Sequence, residues 1–164
     1  MEKMAEIEFS TDSLSKSEKY KELINQVPAL LDFKVDWVAN SANLCAALKE
    51  VFGWLWVGFY RKVSEEYLQL GPFQGPVACT FIHKGKGVCG AVWEEKKALI
   101  VPNVDEFPGH IACSTKSKSE IVLPVYKDSK FWGVLDVDSE NLNEFSSIDL
   151  ENLKSLIQAF EKYL

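Results

Sequence analysis

Three of the chain's four cysteines, Cys79, Cys89 and Cys113, fall between residues 79 and 113, and both histidines, His83 and His110, lie among them. Two kinds of chemistry use such a gathering. A thiol beside an imidazolium or at a helix N-terminus ionises more readily, and the thiolate is the nucleophile. Cys113 in FPGHIACS, just past a proline-glycine bend and near His110, suits that role. Alternatively, Cys79 with His83 and His110 with Cys113 make two closely spaced donor pairs, enough for a tetrahedral zinc site. Against zinc, none of the cysteines forms a C-x-x-C knuckle, and Lys84 and Lys86 surround His83 with charge that opposes a cation. A packing role also competes, because free cysteine is commonly a small buried apolar side chain; Cys45 is read that way.

Carboxylates and aromatics supply the other candidates. Asp136 and Asp138 alternate along LDVDS, so on a strand both project from one face. Carboxylates held together repel, which raises one pKa and leaves an acid able to donate a proton near neutral pH. The competing reading is a solvated strand end, and Glu120 in SEIV has the same alternative. Trp56 and Tyr60 in WVGFY share a strand face and can wall an apolar slot for a methyl or thioether group, unless they are core. GKGVCG and GPFQGP are glycine-rich, yet neither carries a phosphate-binding glycine motif.

These residues need elements to hold them. Tyr20, Leu23, Ile24, Val27 and Leu31 recur at helical spacing, and Pro28 is expected to break that helix. Asp36 reads as the N-cap of a second helix that contains Cys45 and ends at Gly53. WLWVGFYR and YLQLGPF read as a β-hairpin, VACTFI and KALIV as further strands, and Asn103 to Ser117 as a long loop. SEIVLPVY and FWGVLDVDS read as strands joined by a tight turn at Asp128 and Ser129. Ser146 with Asp149 opens a closing helix. Two helices, then hairpin-linked strands, then one helix predict an α+β fold with a mainly antiparallel central sheet flanked by N-terminal and C-terminal helices.

The bulk properties narrow the function. At 164 residues and 47% hydrophobic content, a single domain over 1–164 is expected, with residues 1–15 a polar, poorly constrained segment. A net charge of −6 argues against nucleic acid and anionic membranes. The acidic start and the lack of a long apolar run predict a cytoplasmic protein, where thiols stay reduced unless they do redox chemistry.

Taken in order and spacing, GPFQGPVAC, GKGVCG, FPGHIAC, SEIVLPV and GVLDVDS resemble the free methionine-(R)-sulfoxide reductases, which are single GAF domains. The resemblance runs from about Trp37 to the C-terminal helix and favours reactive thiols over zinc. It implies that Cys113 is the nucleophile and Cys79 its disulfide partner, with Cys89 a third thiol able to resolve the intermediate or pass the oxidation onward. It implies that Glu120, Asp136 and Asp138 bind substrate and supply the proton, and that Trp56 and Tyr60 cage the methylsulfinyl end. The implied reaction is thiol-dependent reduction of free methionine-(R)-sulfoxide through a sulfenic acid and a disulfide, recycled by thioredoxin. No metal or organic cofactor is implied, and a homodimer is. A small-molecule or redox-sensing GAF domain is the alternative. The chain departs from the family pattern at Asn103 and Ser114, where aspartates are frequent, and at Phe81 and His83.

Overall fold

Polar caps decide where the long helices begin. Ser15 and Glu18 form a reciprocal capping box that opens α1 (Lys16–Leu30), and Asp36 accepts from the Val38 and Ala39 amides to open α2 (Trp37–Phe52). Gly53, with φ of 68°, ends α2 in the left-handed region that favours glycine. The expected break at Pro28 does not occur. Pro28 sits in the last turn of α1, which runs on unbroken to Leu30, and so the ring bends no continuing helix. The computed structural model describes residue 9, residues 13–111 and residues 114–164. Cys113, the expected nucleophile, lies outside the described residues.

The strands are β1 (Trp56–Lys62), β2 (Tyr67–Gln74), β3 (Phe81–His83), β4 (Leu99–Val101), β5 (Ser119–Lys127) and β6 (Lys130–Ser139). They form one six-stranded sheet in the order β3-β2-β1-β6-β5-β4, and every neighbouring pair is antiparallel. The predicted α+β class, with its antiparallel sheet, is correct. The β5–β6 turn places both Asp128 and Ser129 at positive φ, the hairpin turn geometry that matches strand twist. The strand expected over VACTFI is shorter than its sequence suggested, since only Phe81–His83 pair with β2.

One helix was missed. GVCGAVWEE, read as part of a glycine-rich passage, forms α3 (Gly87–Glu95). Two glycines weaken its intrinsic helix preference, and Lys86 gives it no side-chain cap. Tertiary packing overrides both: Val88, Cys89, Val92 and Trp93 are buried against the sheet. Gly90 permits the close approach, because a Cβ there would stand 2.5 Å from the His83 carbonyl oxygen.

α4 (Ser147–Phe160) opens with a second capping box, from Ser146 and Asp149. Together α1, α2 and α4 cover one sheet face, with Leu23, Leu44, Leu48, Val57, Phe59, Leu135, Leu153 and Phe160 all fully buried. Each such side chain contributes roughly 1.5–3 kcal/mol of burial, so the amphipathic faces rather than helix propensity hold these helices in place. Asp149 adds a polar tie, accepting from the Tyr20 hydroxyl at 2.8 Å and pairing with Lys16 at 3.2 Å. That leaves the opposite sheet face to α3 and the loops.

Candidate active site

Strand register assembles the site. Trp56 on β1 faces Asp138 on β6, Asp138 faces Glu120 on β5, and Glu120 faces Val101 on β4. Two residues further along, Gly58 faces Asp136 and Asp136 faces Val122. Facing residues in an antiparallel pair project from the same side. The alternation read from LDVDS therefore delivers both aspartates, and Glu120 with them, to the face that carries α3. All three line a pocket with Trp56, Tyr60 and Cys89.

The alternative readings of the acids are overturned. Glu120 is not an exposed strand start, being 6% accessible, and Asp136 is 7% accessible. Asp138 is half-buried and accepts a hydrogen bond from the Ser117 hydroxyl. Burial drives Glu120 well above the usual carboxylate range, and the nearby charges of Asp136 and Asp138 push the same way. Asp136 is also raised well above that range, first by burial and then by Asp138. Asp138 is raised by burial to about 6, with the Ser117 hydrogen bond opposing the shift. The two inner acids are thus biased toward their protonated forms, and the outer one is shifted least, to about 6. One oxygen of Asp136, Oδ1, is buried without a hydrogen-bond partner. A buried acceptor left in that state is costly, and a ligand can relieve it.

Cys89 stands in the first turn of α3 beside these acids. Its Sγ and one oxygen each from Glu120 and Asp136 lie within 4.8 Å of one another. That donor set can hold a cation if its protons are displaced. A helix N-terminus favours a thiolate by only about 0.3–1 kcal/mol, whereas full burial moves a pKa by several units. Burial and the three carboxylates therefore keep Cys89 a thiol, well above the ordinary cysteine value. Cys45 and Cys89 are free thiols, and Cys79 is disulfide-bonded. Cys45 is buried behind the other sheet face, directing its thiol to the Pro72 carbonyl at 3.4 Å, in keeping with a packing role.

The aromatic wall depends on a glycine. Trp56 lies parallel to Tyr60 at 5.8 Å and to Phe73 at 5.3 Å between ring centroids. Its ring crosses Gly58, where a Cβ would stand 2.2 Å from the indole. Trp56 Nε1 donates to the Pro76 carbonyl at 3.1 Å, and the Tyr60 hydroxyl donates to the Cys79 carbonyl at 3.0 Å. These two bonds hold the segment after β2 beside the pocket, where Pro76, Val77 and Ala78 form part of the wall.

The histidines of the zinc reading separate. His83 is exposed on β3 and packs on Tyr67 with ring centroids 4.6 Å apart. His110 lines the pocket, with Nε2 at 3.8 Å from Glu120 Oε2. Phe81 is also exposed on β3, away from the pocket lining, whereas Ser114 lines the pocket. Asn103 caps the short 3-10 helix Val104–Glu106 by accepting from the Asp105 amide. Sequence reasoning missed Ser117, since nothing in its spacing marks it as a partner of Asp138.

This architecture is shared with known proteins. The GAF domain model matches residues 37–164. The chain is 41% identical to the free methionine-R-sulfoxide reductase of Saccharomyces cerevisiae, over 93% of this chain and 89% of that protein. It belongs to that family of GAF domains. A solved free methionine-R-sulfoxide reductase from Neisseria meningitidis, in complex with its substrate, is 45% identical with a TM-score of 0.89, covering 96% of this chain and 93% of that one. GAF domain-containing protein A of Dictyostelium discoideum is 54% identical, over 90% of this chain and 93% of that protein. Family membership bears out the resemblance read from GPFQGPVAC to GVLDVDS. Among the described residues, no helix is long and apolar enough to cross a membrane.

Proposed function

We propose that this chain is an oxidoreductase acting on a sulfur group, and that it reduces free L-methionine-(R)-sulfoxide to L-methionine. The observation that carries the reading is the convergence of Glu120, Asp136 and Asp138 on a pocket walled by Trp56 and Tyr60. A sulfoxide needs a nucleophile at sulfur and a proton for its oxygen, because unprotonated oxide leaves poorly. Burial and neighbouring acids raise Glu120 and Asp136 well above the ordinary carboxylate range, which favours the protonated acid that the second requirement needs. Cys113 supplies the first.

In the first step the Cys113 thiolate bonds to the sulfoxide oxygen's sulfur centre while Glu120 protonates that oxygen. The hydroxyl then passes to the Cys113 sulfur as the substrate S–O bond and the transient S–S bond both break; methionine leaves, and Cys113 ends as a sulfenic acid with Glu120 as carboxylate. The substrate sulfur gains two electrons and the cysteine sulfur loses two. Cys79 then displaces water from the sulfenic acid to form the Cys79–Cys113 disulfide, and a dithiol such as thioredoxin reduces it by exchange. Cys89, a buried thiol, is the reserve route for resolving the intermediate. No metal or organic cofactor takes part.

Asp138, ionised above about pH 6, binds the substrate ammonium. An internal methionine sulfoxide in a peptide lacks that group, so the free amino acid is preferred. The aromatic pair takes the methylsulfinyl end. We further infer a single GAF domain across 1–164, a cytoplasmic location, and self-association through the terminal helices. The test is methionine formation with excess dithiothreitol from the free R epimer, the S epimer and a peptide-bound sulfoxide, beside Cys113→Ser. Product from the free R epimer alone, and only with Cys113 intact, is expected. No product from any substrate overturns the reading and leaves the sensor alternative.

A further inference from the structure

Glu120 poses a supply problem. In the proposed cycle it gives up one proton per turnover, yet its side chain is only 7% exposed. Its strand neighbours are Asp138 and Val101, neither of which is a basic group able to return a proton. His110 is placed differently. Its side chain is 15% exposed, more than twice as much as that of Glu120, and its Nε2 lies 3.8 Å from Glu120 Oε2. A shift of less than about 1 Å brings that pair into hydrogen-bond range.

The loop holds the imidazole there by local chemistry. Phe107, Pro108, Gly109 and His110 make a turn closed by the His110 amide donating to the Phe107 carbonyl at 3.1 Å, with Gly109 at φ of 72°. Proline followed by a left-handed glycine is the sequence such a turn requires. The ring thus lines the pocket while staying partly exposed to solvent.

We propose that His110 is a proton-delivery residue that reloads Glu120 from solvent after each turnover. The proposal rests on the reductase reading above and assigns His110 a role through Glu120, without contact to the reacting sulfur. The step is an acid-base exchange. A solvent hydronium or buffer acid protonates the imidazole, the imidazolium passes a proton to the Glu120 carboxylate, and the neutral ring and carboxylic acid remain. Burial lowers the His110 pKa while Asp105 opposes that shift, a balance that favours the neutral ring and release of an acquired proton.

The experiment compares wild type with His110→Gln and His110→Ala in pre-steady-state and steady-state turnover of free methionine-R-sulfoxide. In the proposed cycle Glu120 starts protonated, so the first turnover of either variant is expected at the wild-type rate. Later turnovers are expected to slow roughly 10-fold, within the usual contribution of acid-base catalysis, with KM little changed. Added imidazole is expected to restore the steady-state rate of His110→Ala by several-fold. A first turnover slowed as much as the later ones overturns the proposal, because it marks His110 as a positioning group for the chemical step. Equal steady-state rates in all three proteins, or a slowed rate that imidazole and other small buffers leave unchanged, also overturn it. If wild type makes no methionine, the reductase reading itself fails and the relay fails with it.

Discussion

Glu120 on β5 and Asp138 on β6 stand directly opposite one another on the pocket face of the sheet. Like charges in that relationship destabilise a sheet, and burial adds to the cost. The fold tolerates the pair because protons neutralise part of it. Its acids are thereby held ready for proton transfer at some cost in stability.

That cost has a sign that can be measured. Asp138 titrates at about 6 in the fold, against about 3.9 when unfolded. The unfolded chain thus releases its proton first, and wild type loses stability as pH rises from about 4 to above 6. A shift of this size corresponds to at most about 3 kcal/mol. Asp138→Asn, which cannot ionise, is expected to match wild type near pH 4 and to melt several degrees higher at pH 8. Thermal melts at both pH values decide it, and a lower melting temperature at pH 8 contradicts the assignment.

Substrate binding should show the same group in the opposite sense. If the Asp138 carboxylate holds the ammonium, kcat/KM rises with pH through about 6 as that carboxylate forms. Asp138→Asn is expected to flatten this limb and to raise KM roughly 10-fold or more. An unaltered limb in the variant would assign the ammonium to another group.

Glu120→Gln separates stability from chemistry. The amide fills the same buried site without a proton to give, so kcat is expected to fall roughly 100-fold. Stability at pH 8 is expected to hold or rise, because the fold pushes the native carboxyl well above its ordinary range. Circular-dichroism melts beside the turnover assay check both halves.

Gly58→Ala tests the aromatic wall without touching an aromatic. The added methyl would sit 2.2 Å from the Trp56 ring and 2.5 Å from Phe73 Cβ, so the indole must move. KM for the sulfoxide is expected to rise about 10-fold or more, with a shift in tryptophan fluorescence. Wild-type KM in a folded variant would remove Trp56 from the substrate wall.

Thiol reactivity discriminates among the cysteines. In a Cys79→Ser/Cys113→Ser protein the remaining thiols are Cys45 and Cys89, both buried and both raised in pKa by burial. Alkylation with iodoacetamide at pH 8 is expected to run at least about 10-fold slower than for free cysteine, and to become fast for both after denaturation. Fast native labelling of Cys89, located by mass spectrometry, would make it an accessible resolving thiol.

Much of this protein is determined by local sequence. The Asp36 cap, the Ser146–Asp149 box, the positive-φ turn at Asp128 and Ser129, and the alternation of Asp136 with Asp138 each depend on a few neighbouring residues. Such features can be read without knowing what packs against them. The family motifs extend that reading to the likeness with free methionine-R-sulfoxide reductases, borne out by the GAF match and the relatives. Tertiary structure alone decided the rest. α3 forms on a glycine-rich segment because burial of Val92 and Trp93 outweighs weak propensity, and α1 absorbs Pro28 because it ends two residues later. The burial of Glu120, the bond from Ser117 to Asp138 and the approach of His110 to Glu120 arise from how strands and loops pack, which local pattern does not report. A carboxylate's pKa depends on what surrounds it in space. A single chain of letters names the acids, and the packed sheet decides which of them keep their protons.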